Sequence, residues 1–147
     1  MRTAVIRATM APSVHNTQPW RFVTTRGSLE LYADRTRRLT VLDPRGRQLL
    51  ISCGCALFNA RVALAAAGYD AKVERFPDTT RMDLLARITL PAEADEWVPI
   101  RDLDSAIEQR RTTASGRAQA YRDRSGYRGL TARDNLDGRQ PVGWRLL

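Results

Sequence analysis

The chain predicts an α+β fold in which one mainly antiparallel sheet packs against helices, and three observations carry that reading. A long helical repeat lies between Asp43 and Gly68. Two pairs of β-type runs flank it, the first pair joined by a hairpin signal at Arg26-Gly27. Helical spacing returns at both ends, so the expected order is α, β, β, α, β, β, α.

Each element has a local reason. Residues 2–10 carry Val5, Ile6 and Met10 at helical spacing and stop before Pro12, which predicts a short helix. Pro12 and Pro19 fix φ and bias Ala11 and Gln18 toward extended geometry, so Ala11 to Trp20 should be a shaped loop. Trp20–Thr25 and Ser28–Ala33 read as strands, the second with Leu29, Leu31 and Ala33 on one face. Asp43 as N-cap with Pro44 in the first turn starts the long helix, and Gly68 closes it as a left-handed C-cap residue. Between them Leu50, Cys53, Leu57, Ala60 and Leu64 mark an apolar face, with the small residues Gly54, Ala56 and Ala63 beside it. Asp70–Phe76 and Leu84–Leu90 are the second strand pair. A loop runs from Pro91 through Glu96, and Ile100–Arg111 returns to helix through Leu103, Ala106 and Ile107.

Composition narrows the function classes. A chain of 147 residues with 43% hydrophobic content is expected to form one globular domain. The apolar run Leu49–Gly68 is interrupted by Ser52, Asn59 and Arg61, so no membrane span is expected, and no leader-like apolar stretch opens the chain. The expected location is the cytoplasm. Cys53 and Cys55, two apart in a helix, point to roughly opposite faces and should be unbonded, buried and inert. One histidine and two cysteines are too few ligands for a zinc site of the usual kind, and His15 suits a loop hydrogen bond better than base catalysis.

The net charge of +8 is unevenly placed. Residues 1–108 carry 15 basic and 13 acidic side chains, whereas 109–147 carry 9 and 3. Beyond Thr112 neither a period of 2 nor one of 3.6 is sustained, which predicts a basic, disordered tail over 113–147. A nucleic-acid role for that tail is disfavoured, because Tyr121, Tyr127 and Trp144 are sparse and no recognition motif is present.

The loop Ala-Pro-Ser-Val-His-Asn-Thr-Gln-Pro-Trp over 11–20 has two readings. It is a turn in which Pro12-Ser13 caps, Asn16 makes an Asx-turn and Trp20 opens a strand, or it is a ligand site built from hydrogen-bonding side chains. Its pattern Pro12-Ser13-x-x-Asn16-x-Gln18-Pro19-Trp20, followed by Arg21-Phe22-Val23, resembles the segment with which nitroreductase-family flavoproteins contact FMN across a dimer interface. Leu31-Tyr32-Ala33-Asp34, Asp43-Pro44-Arg45-Gly46-Arg47 and Ile51-Ser52-Cys53-Gly54-Cys55-Ala56-Leu57 are similar to the Acg-like NAD(P)H nitroreductase branch.

The resemblance covers roughly residues 4–112, and implies a nitroreductase-like half-unit over 1–112 followed by the tail 113–147. It implies FMN as cofactor, NAD(P)H as electron donor and nitro or quinone-type acceptors. Pro12, Ser13 and Asn16 would approach the isoalloxazine of the partner unit, and Arg110 and Arg111 would face a phosphate. Because that branch repeats the unit in one longer chain, the expected partner is a second copy in a homodimer or a missing second half-unit. Three departures accompany it. Val14 stands where many members have serine, only eleven residues precede Pro12, and the resemblance ends inside the Arg110-Arg111-Thr112 motif. That abrupt end is the pattern expected of a frameshift in a GC-rich gene. Both an active reductase and an inactive short form fit this sequence, and the branch's lid over the flavin pocket keeps open a non-catalytic, flavin-sequestering or stress-linked binding protein.

Overall fold

The computed structural model describes residues 1–91 and 99–110, and the seven elements expected from the sequence occur there in the expected order. Helix α1 (Arg2–Thr9) buries Ala4 and Ala8 against the long helix, one turn apart on the same face. Ile6, expected on the apolar face, is exposed. Small residues win this contact because they let two helix backbones approach closely.

Strands β1 (Trp20–Thr25) and β2 (Ser28–Ala33) have the predicted bounds and pair antiparallel from Trp20↔Ala33 to Thr25↔Ser28. Gly27 takes φ +79° in the two-residue turn, a conformation glycine adopts without a Cβ penalty. Leu29, Leu31 and Ala33 are buried in the core, and Glu30 and Tyr32 alternate with them.

Helix α2 (Arg47–Ala66) starts later than expected. Gly46, at φ +71°, is its N-cap residue, and Asp43 acts from three residues further out, its Oδ2 accepting a hydrogen bond from the Leu49 N–H at 2.9 Å. Gly68 closes the helix at φ +83° as expected. Its N–H donates to the Ala65 carbonyl and the Tyr69 N–H to the Leu64 carbonyl, the bond pair of a Schellman motif. The buried stripe is Leu49, Cys53, Ala56, Ala60, Ala63 and Leu64, whereas Leu50 is exposed. The expected face is therefore rotated toward Leu49. By length and composition α2 could cross a membrane, contrary to the sequence expectation, yet over half of the qualifying window is buried inside this fold.

Strands β3 (Lys72–Arg75) and β4 (Leu84–Thr89) complete a sheet of order β1-β2-β4-β3, antiparallel throughout. Both are shorter than the expected runs. Because β4 lies between β2 and β3, the passage β2-α2-β3 is a split β-α-β unit, and α2 lies against the sheet with Leu29, Leu31, Ala86 and Ile88 in the common core.

The last predicted helix is cut at both ends. A 3₁₀ turn spans Arg101–Leu103, helix α3 is Asp104–Gln109, and Arg110 is extended at ψ 121°. Arg7 anchors α3 to α1, its Nε and Nη2 donating to the Asp104 carboxylate at 3.1 and 3.0 Å and its Nη1 to Glu108. The boundary after Thr112, the tail 113–147, Arg111 and most of the acidic loop lie outside the described residues.

Candidate functional site

The loop after α1 is built by its own polar groups. Ser13 Oγ accepts a hydrogen bond from the Gln18 N–H at 2.9 Å, and the Gln18 carbonyl accepts one from the Trp20 N–H at 2.8 Å. These bonds hold His15, Asn16 and Gln18 at φ +49°, +54° and +46°, in the left-handed region that costs L-residues roughly 1–2 kcal/mol each. Extended geometry before Pro19 is thus not found at Gln18, because the two bonds around the proline impose a tighter bend. Asn16 Oδ1 accepts from Gln18 Nε2 at 3.3 Å, so the carboxamide serves a side chain and not an Asx-turn. His15 is exposed, and its ring makes no hydrogen bond among the described residues.

Two anchors fix the exit of this loop. The Pro19 carbonyl accepts from the Asp34 N–H at 3.0 Å and from the Cys53 thiol of α2 at 3.2 Å. Burial pushes the Cys53 thiol up to about 12, so it stays protonated and can donate at neutral pH. Both cysteines are free. Cys55 departs from the expectation of burial, being half-buried in the wall of a cavity.

That cavity, of about 520 Å³, lies between α2 and α3. Ile51, Gly54, Cys55 and Phe58 form one wall, and Leu103, Ala106 and Ile107 the other. Pro12, Asn59 and Arg110 complete the lining. Its volume lies within the usual range of roughly 300–1,000 Å³ for small-molecule sites. A Cβ built on Gly54 would meet nothing within 4 Å, so that stretch of wall is open. Asn59 Nδ2 donates to the Arg7 carbonyl at 3.1 Å, and Arg110 Nη2 donates to the Met10 carbonyl at 2.5 Å. The arrangement is a slot with apolar walls and one guanidinium, suited to a flat apolar body that ends in an anion.

Of the residues named from sequence, the fold brings Pro12 and Arg110 to this one slot although 98 positions separate them. Ser13 and Asn16 belong to the adjoining loop but do not line it. Arg111 lies outside the described residues. Sequence reasoning missed the wall residues Ile51 and Phe58, which are exposed and lie off the expected apolar face of α2. Their signal was an excess of apolar residues, more than one buried stripe requires. Among the described residues no cluster of three potential metal ligands occurs.

No family model matches the chain. The Mycobacterium tuberculosis protein named "Putative NAD(P)H nitroreductase Rv3131" is 44% identical over 112 residues, 76% of this chain and 32% of that protein. A second M. tuberculosis protein, "Putative NAD(P)H nitroreductase acg", is 46% identical over 78 residues, 53% of this chain and 24% of that protein. A solved structure of a nitroreductase family protein from Streptococcus pneumoniae TIGR4 aligns with a TM-score of 0.48 and 19% identity, over 69% of this chain and 86% of that one. The chain spans about a third of the length of the curated relatives it matches. Over the matched residues it belongs to the nitroreductase superfamily. Within that superfamily its group is the Acg-like NAD(P)H nitroreductases.

Proposed function

We propose that the slot between α2 and α3 holds FMN, and that the chain works as an NAD(P)H-dependent oxidoreductase acting on nitro or quinone-type acceptors. The observation that carries the reading is the meeting of Pro12 and Arg110 at one apolar cavity. The donor set fits the group. Apolar walls suit the ring system, and Arg110, one nitrogen of which donates to the Met10 carbonyl, brings guanidinium charge to the slot for a phosphate. Ile51, Phe58, Leu103 and Ile107 offer the ring an apolar surface to cover, Pro12 packs toward it from the same chain, where the resemblance has that residue reach the partner unit's flavin, and Arg110 faces the anionic end, with Arg111 beside it as the resemblance implies. FMN, when bound, supplies hydride acceptance from NAD(P)H and electron delivery to the acceptor. The polar side chains of the slot are Cys55, Asn59 and Arg110, so this chain's part is orientation, apolar contact and charge. The working assembly has a second unit, from a homodimer or a second half-unit, and sits in the cytoplasm.

Titration of the purified chain with FMN and with riboflavin, followed by flavin fluorescence, tests this directly. FMN should bind at least about tenfold tighter than riboflavin, since one charge-assisted contact contributes roughly 1.4 kcal/mol or more. Arg110→Ala should erase that difference. Gly54→Leu should block both ligands without lowering the melting temperature, because the added side chain enters open space. Equal affinity for the two flavins, or none for either, would count against the slot. FMN binding without NAD(P)H oxidation in the presence of a nitroaromatic would favour the flavin-sequestering alternative.

A further inference from the structure

A second surface lies at one end of the sheet, apart from the slot. β2 ends at Ala33, β3 ends at Arg75 and β4 begins at Leu84, so the segments 34–46 and 76–83 emerge at the same end. An ion pair between Arg35 and Asp83 ties them together. The first segment exposes two consecutive aliphatic side chains, Val41 at 90% and Leu42 at 61%, and the second exposes Phe76 and Met82.

The charge around Val41 and Leu42 is unbalanced. Residues 34–47 contain five arginines and two aspartates. Arg35 pairs with Asp83 and Arg37 with Asp34, while Asp43 is buried and accepts from the Leu49 N–H. Arg38, Arg45 and Arg47 have no acidic partner among the described residues, and they flank the aliphatic pair on both sides. A dry protein interface would have to desolvate three guanidinium groups that have no acidic partner among the described residues. A nucleic acid would satisfy the charge but leave Val41 and Leu42 in water. An anionic lipid surface accepts both, the aliphatic groups at the acyl boundary and the guanidiniums on headgroup phosphates.

We propose that the loop 38–47 docks the protein on an anionic phospholipid surface, with Val41 and Leu42 entering the acyl boundary and Arg38, Arg45 and Arg47 contacting headgroup phosphates. The proposal is independent of flavin binding in the slot.

The test uses the intact chain with vesicles of phosphatidylcholine alone and of phosphatidylcholine with about a third phosphatidylglycerol, read by cosedimentation. Residues 109–147 carry a net charge of +6 and can attract such vesicles by themselves, so the readout must be specific to the loop. Val41→Trp should give emission that is quenched by brominated lipid only when the anionic lipid is present. The double variant Val41→Asp/Leu42→Asp should bind anionic vesicles at least about tenfold more weakly, with an unchanged melting temperature. Replacing Arg38 or Arg45 with alanine should weaken binding about fivefold each, and added salt should weaken it further. Equal binding to neutral and anionic vesicles would overturn the proposal, as would full vesicle binding by the double aspartate variant. So would unquenched emission from Val41→Trp on bound vesicles. Conversion of a dimer to a monomer by those aspartates, with vesicle binding unaltered, would instead assign the loop to a second copy of the chain.

Discussion

Replacing Asp43 with alanine should cost this fold more than its loop position suggests. Asp43 is buried, and its Oδ2 accepts the Leu49 N–H at 2.9 Å, one of the amide donors that the start of α2 would otherwise leave unsatisfied. The same carboxylate places negative charge at the positive end of a 20-residue helix. Losing such a cap costs roughly 0.5–2 kcal/mol, and leaving a buried donor unpaired costs about 1–3, so a net loss of about 2 kcal/mol is expected. For a domain near one hundred ordered residues each kcal/mol moves the melting temperature by roughly 4–8 °C, which gives a fall of roughly 8–16 °C. Asparagine keeps an acceptor and loses the charge, so Asp43→Asn should fall between wild type and Asp43→Ala. Thermal melts followed by circular dichroism at neutral pH decide it. A change within about 2 °C for alanine, or identical losses for alanine and asparagine, would refute the capping argument.

Two further outcomes follow from buried or paired groups. With the Cys53 thiol at about 12 against an ordinary value of 9.0, its thiolate fraction at pH 8 falls roughly a thousandfold. Iodoacetamide should therefore modify only Cys55 in the folded protein, as mass spectrometry of the labelled peptides would show, and two equally fast adducts would contradict the burial of Cys53. Glu30 accepts from Tyr32 Oη at 2.7 Å and from Arg87 Nε at 3.0 Å, and these bonds, Tyr32 first, hold its carboxyl below the usual value. Its stabilising contribution is fully present above the ordinary carboxylate value of 4.5, and is lost as pH falls through the lower folded-state value. Melts between neutral and strongly acidic pH should show that loss, with a shallower slope in Glu30→Gln, whereas an unchanged slope in the variant would remove Glu30 from the acid transition.

The sequence was most legible where structure is local. β1 and β2 have their predicted ends because a two-residue turn and strict alternation leave no other register. The Asp43-Pro44 signal correctly marked the approach to α2 but misplaced its start, since Gly46 intervenes in a left-handed turn before the first helical residue. The buried face of α2 was harder to read because apolar residues surround the helix. Leu49 and Leu50 are equivalent by composition, and only packing against the sheet chooses Leu49. Pro12 and Arg110 were named by resemblance, but their meeting is long-range and no local pattern encodes it. Ser13 shows the limit of both readings of the loop, because the hydroxyl that could meet a ligand also accepts the Gln18 N–H.

The long-range step uses charge beside hydrophobic burial. α3 has six residues, too few to be helical unaided, and Ile107 is its one buried side chain. It packs on α2, and α1 adds polar ties, the Arg7 guanidinium holding Asp104 and Glu108 while the Met10 carbonyl receives Arg110. The same helix end delivers Pro12 two residues later. The slot therefore depends on where α1 stops as well as on α2, because one helix terminus delivers a lining residue from the loop and, through two arginines, ties to the opposite wall. A change in the end of α1 would move Pro12, α3 and Arg110 together, and so would change the width of the slot without touching the sheet that supports it.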